Sequence, residues 1–146
     1  MAERLRAVLD TNIFLSALLS RNPTSPAKEI VKRWLDDEFT LLVCRPLIVE
    51  VLEKLTEQGL DETRLTEFAA LLDIATEPID VAAKSIPRTV QFDPDDDVIV
   101  ACAVLGKADY LVTYDCHFAV LGEEYQGVKI VKALPFLWAL RSKLVS

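Results

Sequence analysis

The chain has 146 residues, of which 51% are hydrophobic, and it contains only four glycines and seven prolines. This size and composition support one sizeable hydrophobic core and exclude disordered, collagen-like and low-complexity proteins. The formal net charge of −7 argues against a large basic surface for nucleic acid, unless many of the acids converge on a bound cation. We therefore expect a single domain over residues 1–146.

The predicted elements of the first half are a strand at 5–9, a helix after Asn12, a helix from Ser25 to near Glu38, a strand at 40–44, a helix from Pro46 to Gly59, a helix opened by Asp61 and a weak strand at 76–81. The second half continues with a helix from Asp93 to Gly106, a strand at 110–113, a strand at 128–131 and a helix from Pro135 to Leu144. Strands separated by helices predict a parallel sheet with helices on both faces.

We expect no segment for export or membrane insertion. The opening MAERLR leads directly into an apolar run, and no window reaches 18 uncharged apolar residues. The three cysteines, Cys44, Cys102 and Cys116, are an odd number without CxxC spacing, which favours neither a disulfide framework nor a zinc site. We expect a soluble, cytoplasmic protein.

Four acidic residues fall at equivalent places in this series of elements. Asp10 ends the first strand, Glu50 lies about one turn into the helix after TLLVC, Asp97 lies in the first turn of its helix, and Asp115 follows the strand YLVT. Ligands of parallel sheets bind beyond the carboxyl ends of the strands, so all four acids are expected at one edge. Gathered carboxylates repel unless they are protonated, separated by solvent or bridged by a cation. Oxygen ligands of this kind suit Mg²⁺ or Mn²⁺.

Each acid also has an ordinary structural explanation. A single aspartate at a strand end, such as Asp10 or Asp115, is most often a turn or helix-cap residue. The run from Asp95 to Asp97 could serve only to complement a helix dipole. Glu50 could be a surface acid, although apolar residues flank it on both sides. The interpretation as a cation site therefore depends on all four acids falling at one predicted edge.

Other polar residues near this edge are secondary candidates. Asn12 and Thr113 can hydrogen-bond a carboxylate or a phosphate, although residues of this kind are more often caps. His117, the only histidine, is more often a structural or surface residue than a catalytic one. The candidate cations for phosphate contact are Arg21, Lys28 and Arg45.

The order and spacing of four stretches resemble PIN-domain proteins. These stretches are LDTNIFLSALL, PLIVEVL, DPDDDVIVACAVLGKADYLVTYD and VKIV, and together they span nearly the whole chain. The sequence is most similar to the VapC-like toxin nucleases of bacterial toxin–antitoxin pairs. The resemblance implies a three-layer α/β/α domain with a central, mostly parallel sheet of about five strands. It also implies a homodimer that a partner antitoxin inhibits.

The same resemblance implies a ribonuclease that cleaves single-stranded RNA and depends on Mg²⁺ or Mn²⁺. The family's acidic quartet maps onto Asp10, Glu50, Asp97 and Asp115, with Asn12 and Thr113 as accompanying polar positions. The neighbours Asp93, Asp95 and Asp96 leave the third position open, and Asp96 is the alternative that could share the role of Asp97.

Our hypothesis from the sequence is an endoribonuclease in which Asp10, Asp97 and Asp115 hold one or two divalent ions. Glu50 completes the site or acts as the base toward the attacking water, and Asn12 orients an acidic ligand. The sequence pI of about 4.7 keeps a second hypothesis open, that of a catalytically inert scaffold module with the same fold. A phosphatase with an acyl-phosphate aspartate ranks lower, because Asn12 occupies the position where such enzymes carry a second acid.

Overall fold

The fold is built on a central sheet, and the computed structural model describes residues 4–81 and 94–145. The elements are β1 (Arg6–Leu9), α1 (Thr11–Leu19), α2 (Pro26–Leu35), β2 (Thr40–Val43), α3 (Arg45–Glu57), α4 (Glu62–Ile74), β3 (Glu77–Pro78), α5 (Pro94–Leu105), β4 (Tyr110–Val112), a 3₁₀ helix (Cys116–Leu121), β5 (Glu124–Tyr125), β6 (Val128–Val131) and α6 (Ala133–Val145). Among these residues, no helix is both long and apolar enough to cross a membrane.

The sheet contains six strands in the order β3-β2-β1-β4-β6-β5. Every neighbouring pair is parallel except β5 with β6, which is antiparallel. The predicted α/β fold with a mostly parallel central sheet is thus confirmed. The sixth strand, β5, did not emerge from the sequence because a two-residue strand has no detectable periodicity.

The central strand β1 lies inside the apolar core. Ala7, Val8 and Leu9 are completely buried, because helices cover both faces of the parallel sheet. The apolar core continues into the helices through edge-to-face aromatic pairs, among them Phe14 with Phe68. Residues that follow β1 therefore enter a densely packed region, and a polar side chain there needs defined partners.

Helix α2 ends three residues earlier than the sequence suggests, at Leu35 rather than near Glu38. Asp37 has a left-handed backbone conformation with φ of 62°. The Glu38 N–H donates to the Arg33 carbonyl and the Asp37 N–H to the Trp34 carbonyl, which is the hydrogen-bond pattern of a Schellman motif. The helix end was not recognised in the sequence because Asp37 occupies the position where glycine usually stands.

Helices α2 and α6 are joined by a surface ion-pair network around Glu29. The guanidinium of Arg141 donates to both carboxylate oxygens of Glu29, at 3.0 and 2.6 Å, and Arg33 adds a third bond at 2.9 Å. Arg141 and then Arg33 lower the pKa of Glu29 to about 2. The charged form of Glu29 therefore stabilises the packing of the two helices.

Candidate functional site

Asp10 lies at the carboxyl end of β1 and begins α1 as its N-cap. Its Oδ1 accepts a hydrogen bond from the Thr11 N–H at 2.7 Å, and its Oδ2 accepts one from the Thr113 hydroxyl at 2.8 Å. The residue is only 4% exposed. Both carboxylate oxygens are thus oriented by donors, and the helix N-terminus favours their negative charge.

Thr113 connects Asp10 with Asp115 through one hydroxyl group. The backbone N–H of Thr113 donates to the Val131 carbonyl, which fixes the residue next to the end of β6. Its hydroxyl donates to Asp10 and accepts from the Asp115 N–H at 2.9 Å. The Asp115 carboxylate in turn accepts from the His117 N–H at 2.9 Å and caps the 3₁₀ helix. Two of the predicted acids are therefore held by adjoining parts of one hydrogen-bond network.

Glu50 joins the same network through Thr11, a residue that the sequence reasoning did not select. The buried Thr11 hydroxyl donates to Glu50 Oε2 at 2.9 Å, while its backbone N–H donates to Asp10. Thr11 thereby ties the start of α1 to the second turn of α3. Its only signal in the sequence is its position directly after Asp10, and this gave no preference over Asn12.

Asp96 and Asp97 are both buried near the start of α5, with exposures of 6% and 1%. Asp96 Oδ2 lies 3.4 Å from Nδ1 of His117, which lies 3.3 Å from Asp115 Oδ1. His117 therefore stands between an acid of α5 and the acid that follows β4. The alternative of Asp96 or Asp97 stays open, since both are buried at this place. Asp93 and the side chain of Asp95 lie outside what the structure describes.

Asn12 lies on the exposed side of α1. Within residues 4–81 and 94–145, its side chain makes no hydrogen bond to any of the acids. The proposed role of Asn12 in orienting an acidic ligand therefore stays a prediction.

The candidate cations are distributed over two different cavities. Arg45 lines a cleft of about 600 Å³ together with Glu50. Arg21 and Lys28 line another cavity, next to the end of α1, where the Lys28 ammonium donates to the Ala17 carbonyl. Of the three, Arg45 is the cation that shares a cleft with a predicted site residue.

The donor set at this edge fits a hard divalent cation. Burying carboxylates is costly unless they are hydrogen-bonded, paired or bound to a metal. The donors described above for Asp10, Glu50 and Asp115 are hydroxyl and backbone N–H groups, which orient these carboxylates. Asp115, Cys116 and His117 also offer one ligand atom each, and these three atoms lie within 4.8 Å of one another. The arrangement can hold a metal ion, and carboxylate oxygens favour Mg²⁺ or Mn²⁺.

Two solved structures share this architecture. VapBC2 from Rickettsia felis, solved with a DNA fragment from its promoter, superposes with a TM-score of 0.60 at 18% identity over 86% of this chain and 98% of that chain. FitAcB from Neisseria gonorrhoeae superposes with a TM-score of 0.56 at 15% identity over 88% of this chain and 98% of that chain. At these identities the likeness shows a shared fold.

Sequence comparison assigns the family. None of the curated proteins matches this chain significantly. The family model described as PIN domain matches residues 6–117, which include every acid of the candidate site. Because this match covers most of the chain, the protein belongs to the PIN domain family.

Proposed function

We propose that this protein is a metal-dependent endoribonuclease that hydrolyses phosphodiester bonds in single-stranded RNA. PIN domains are generally nucleases, and this proposal adds the substrate and the metal. The observation that carries it is the hydrogen-bond chain running from Glu50 through Thr11, Asp10 and Thr113 to Asp115. These hydrogen bonds connect acids from three separate segments at one edge of the sheet.

The acidic residues have different roles in the proposed hydrolysis. When bound, Mg²⁺ or Mn²⁺ neutralises phosphate charge and activates water for in-line attack. Asp10, Asp115 and either Asp96 or Asp97 would hold the ion, since Asp10 and Asp115 share the Thr113 hydroxyl and His117 lies between Asp115 and Asp96. Glu50 is only half-buried and faces the cleft that Arg45 also lines. This position suits a base that takes the proton of the attacking water, with Thr11 fixing the carboxylate.

The charge of the chain favours a single strand over a duplex as substrate. A net charge of −7 disfavours the neutralisation of many phosphates at once, and long duplex contacts depend on such neutralisation. A flexible single strand can present one phosphate to the acids without covering a large surface. We infer modest intrinsic RNA affinity, to which a metal ion at the acids would add by binding the scissile phosphate.

We further propose that the protein is a toxin held inactive by an antitoxin and that it forms a homodimer. The support is the likeness to VapBC2 and FitAcB over nearly the full length of those chains. Co-expression with the product of a neighbouring small gene, followed by size-exclusion chromatography, tests both the complex and the oligomeric state.

The deciding experiment for the activity replaces Asp10 by asparagine. End-labelled single-stranded RNA is incubated with the protein in Mn²⁺, in Mg²⁺ and in EDTA, alongside DNA of the same sequence and duplex RNA. The wild type should cleave only the single-stranded RNA and only with metal, and Asp10→Asn should slow cleavage by more than about 100-fold. Asp73→Asn, the same charge change at an exposed position of α4, should leave the rate unchanged.

Calorimetric titration with Mn²⁺ separates the enzyme from a non-catalytic module. The wild type should bind the ion, and Asp10→Asn should lose most of the signal. Undiminished metal-dependent cleavage by Asp10→Asn would refute the assignment of the site. A wild type that neither cleaves RNA nor binds Mn²⁺ would instead support the inert scaffold.

A further inference from the structure

Tyr114 is an exposed aromatic residue between two members of the candidate site. It follows Thr113 and precedes Asp115, and 43% of its surface is exposed. It lines a cavity of about 410 Å³ whose walls also include Thr113, Asp115, Phe118 and Ile130. The cavity thus adjoins the acids directly, and much of its lining is apolar.

The fold makes little use of the Tyr114 side chain. In the described part of the chain, its hydroxyl makes no hydrogen bond and its ring makes no contact with another aromatic ring. The residue therefore offers an uncharged aromatic face next to a cluster of carboxylates.

Lys132 adds a cation to the same cavity. It directly follows β6, whose last residue, Val131, accepts the backbone hydrogen bond of Thr113. The side chain of Lys132 is exposed, and the described carboxylates include none within ion-pairing distance of it. The lining also includes the acids Asp115 and Glu123, so Lys132 supplies its positive charge next to two carboxylates.

We propose that Tyr114, the apolar wall of this cavity and Lys132 form a nucleotide subsite for single-stranded RNA. The Tyr114 ring stacks on an unpaired base next to the scissile bond, and Lys132 contacts a phosphate of the same strand. Aromatic stacking of this kind tolerates any base and is worth roughly 5- to 150-fold in affinity. It also requires a base that is not paired, which excludes a duplex from this position. The inference rests on the proposed ribonuclease function and specifies how its substrate is held.

The test compares three variants with a matched control. Tyr114→Ala removes the ring, Tyr114→Phe keeps the ring without the hydroxyl, and Lys132→Met removes the cation. Trp138→Ala is the control, since Trp138 is an exposed aromatic residue of α6, 57% exposed and outside the cavity. Binding is measured in EDTA from the fluorescence of a short RNA that carries 2-aminopurine, and cleavage is measured separately with Mn²⁺.

We expect Tyr114→Ala to weaken binding about 10-fold and to raise KM more than it lowers kcat, whereas Tyr114→Phe stays within about twofold of the wild type. Lys132→Met should reduce the salt dependence of binding by about 0.7 in the logarithmic slope. Trp138→Ala should change neither quantity. The subsite is refuted if Tyr114→Ala binds the RNA and quenches its fluorescence as the wild type does. A wild type that binds RNA without cleaving it refutes the proposed activity alone, because the binding measurement needs no metal.

Discussion

Replacing Thr113 by valine tests whether the hydrogen-bond network holds the site together. Valine has nearly the shape of threonine and lacks the hydroxyl. The change removes the donor to Asp10 Oδ2 at 2.8 Å and the acceptor of the Asp115 N–H at 2.9 Å. Thr113 is 5% exposed, so water cannot fully replace either partner.

The expected cost follows from these two bonds. A hydrogen bond to a charged group contributes about 1.5–3 kcal/mol, and leaving a buried N–H without its acceptor costs about 1–3 kcal/mol. Because the two bonds share one hydroxyl, their contributions do not simply add. We expect the free energy of unfolding to fall by about 2–4 kcal/mol, which corresponds to a Tm lower by roughly 10 °C for a chain of this length.

Thermal unfolding in EDTA measures this cost without contribution from bound metal. Thr113→Ser keeps the hydroxyl and loses one buried methyl group, at a cost of about 0.8 kcal/mol. Thr56→Val is a second control, because the exposed Thr56 hydroxyl bonds only the Leu52 carbonyl of its own helix. The reasoning fails if Thr113→Val is as stable as Thr113→Ser and also binds Mn²⁺ with wild-type affinity.

Three further predictions concern stability and reactivity. Because the pKa of Glu29 is lowered to about 2, the stabilisation by its charge is fully present above about pH 4.5 and is lost as the pH falls toward 2. Glu29→Gln should therefore lower Tm at pH 7 but have little effect on Tm at pH 2.5. Gly106→Ala should destabilise by about 1–3 kcal/mol in urea unfolding, since its Cβ would lie 3.0 Å from the Cys102 carbonyl oxygen. A thiol reagent should modify only the exposed Cys116 in the native protein, because Cys44 and Cys102 are buried, and all three should react in denaturant.

The long elements of the fold could be predicted because their apolar patterns are continuous. The apolar run ending at Leu9 and the run TLLVC correspond to β1 and β2, and the predicted helices that fall in the described residues are present. The 3₁₀ helix Cys116–Leu121 was not predicted, since six residues that are apolar except for His117 show neither a helical nor a strand period. The final helix begins at Ala133 rather than Pro135 because proline is tolerated within a first turn.

The strand order required three-dimensional information. Periodicity shows that a strand exists, but it does not show that β4 pairs with β1 while β6 lies outside β4. Parallel strands end at one edge of a sheet, and this rule was sufficient to predict that the acids lie at the same edge. It was not sufficient to choose among adjacent polar residues, because the direction of a side chain at a helix start depends on the backbone of that turn. For this reason Thr11, and not Asn12, contacts Glu50.

Asp10 shows that a helix cap and a ligand position are compatible explanations of one residue. The capping bond from the Thr11 N–H occupies a single lone pair of Oδ1, and serine or asparagine could supply it without burying a charge. The bond from Thr113 comes from a residue 103 positions away in the sequence and serves no purpose in capping. A buried carboxylate that is held from both sides is a costly way to start a helix and an effective way to fix a metal ligand. We therefore propose that the cap supplies the orientation and that the acid at this position serves as a metal ligand.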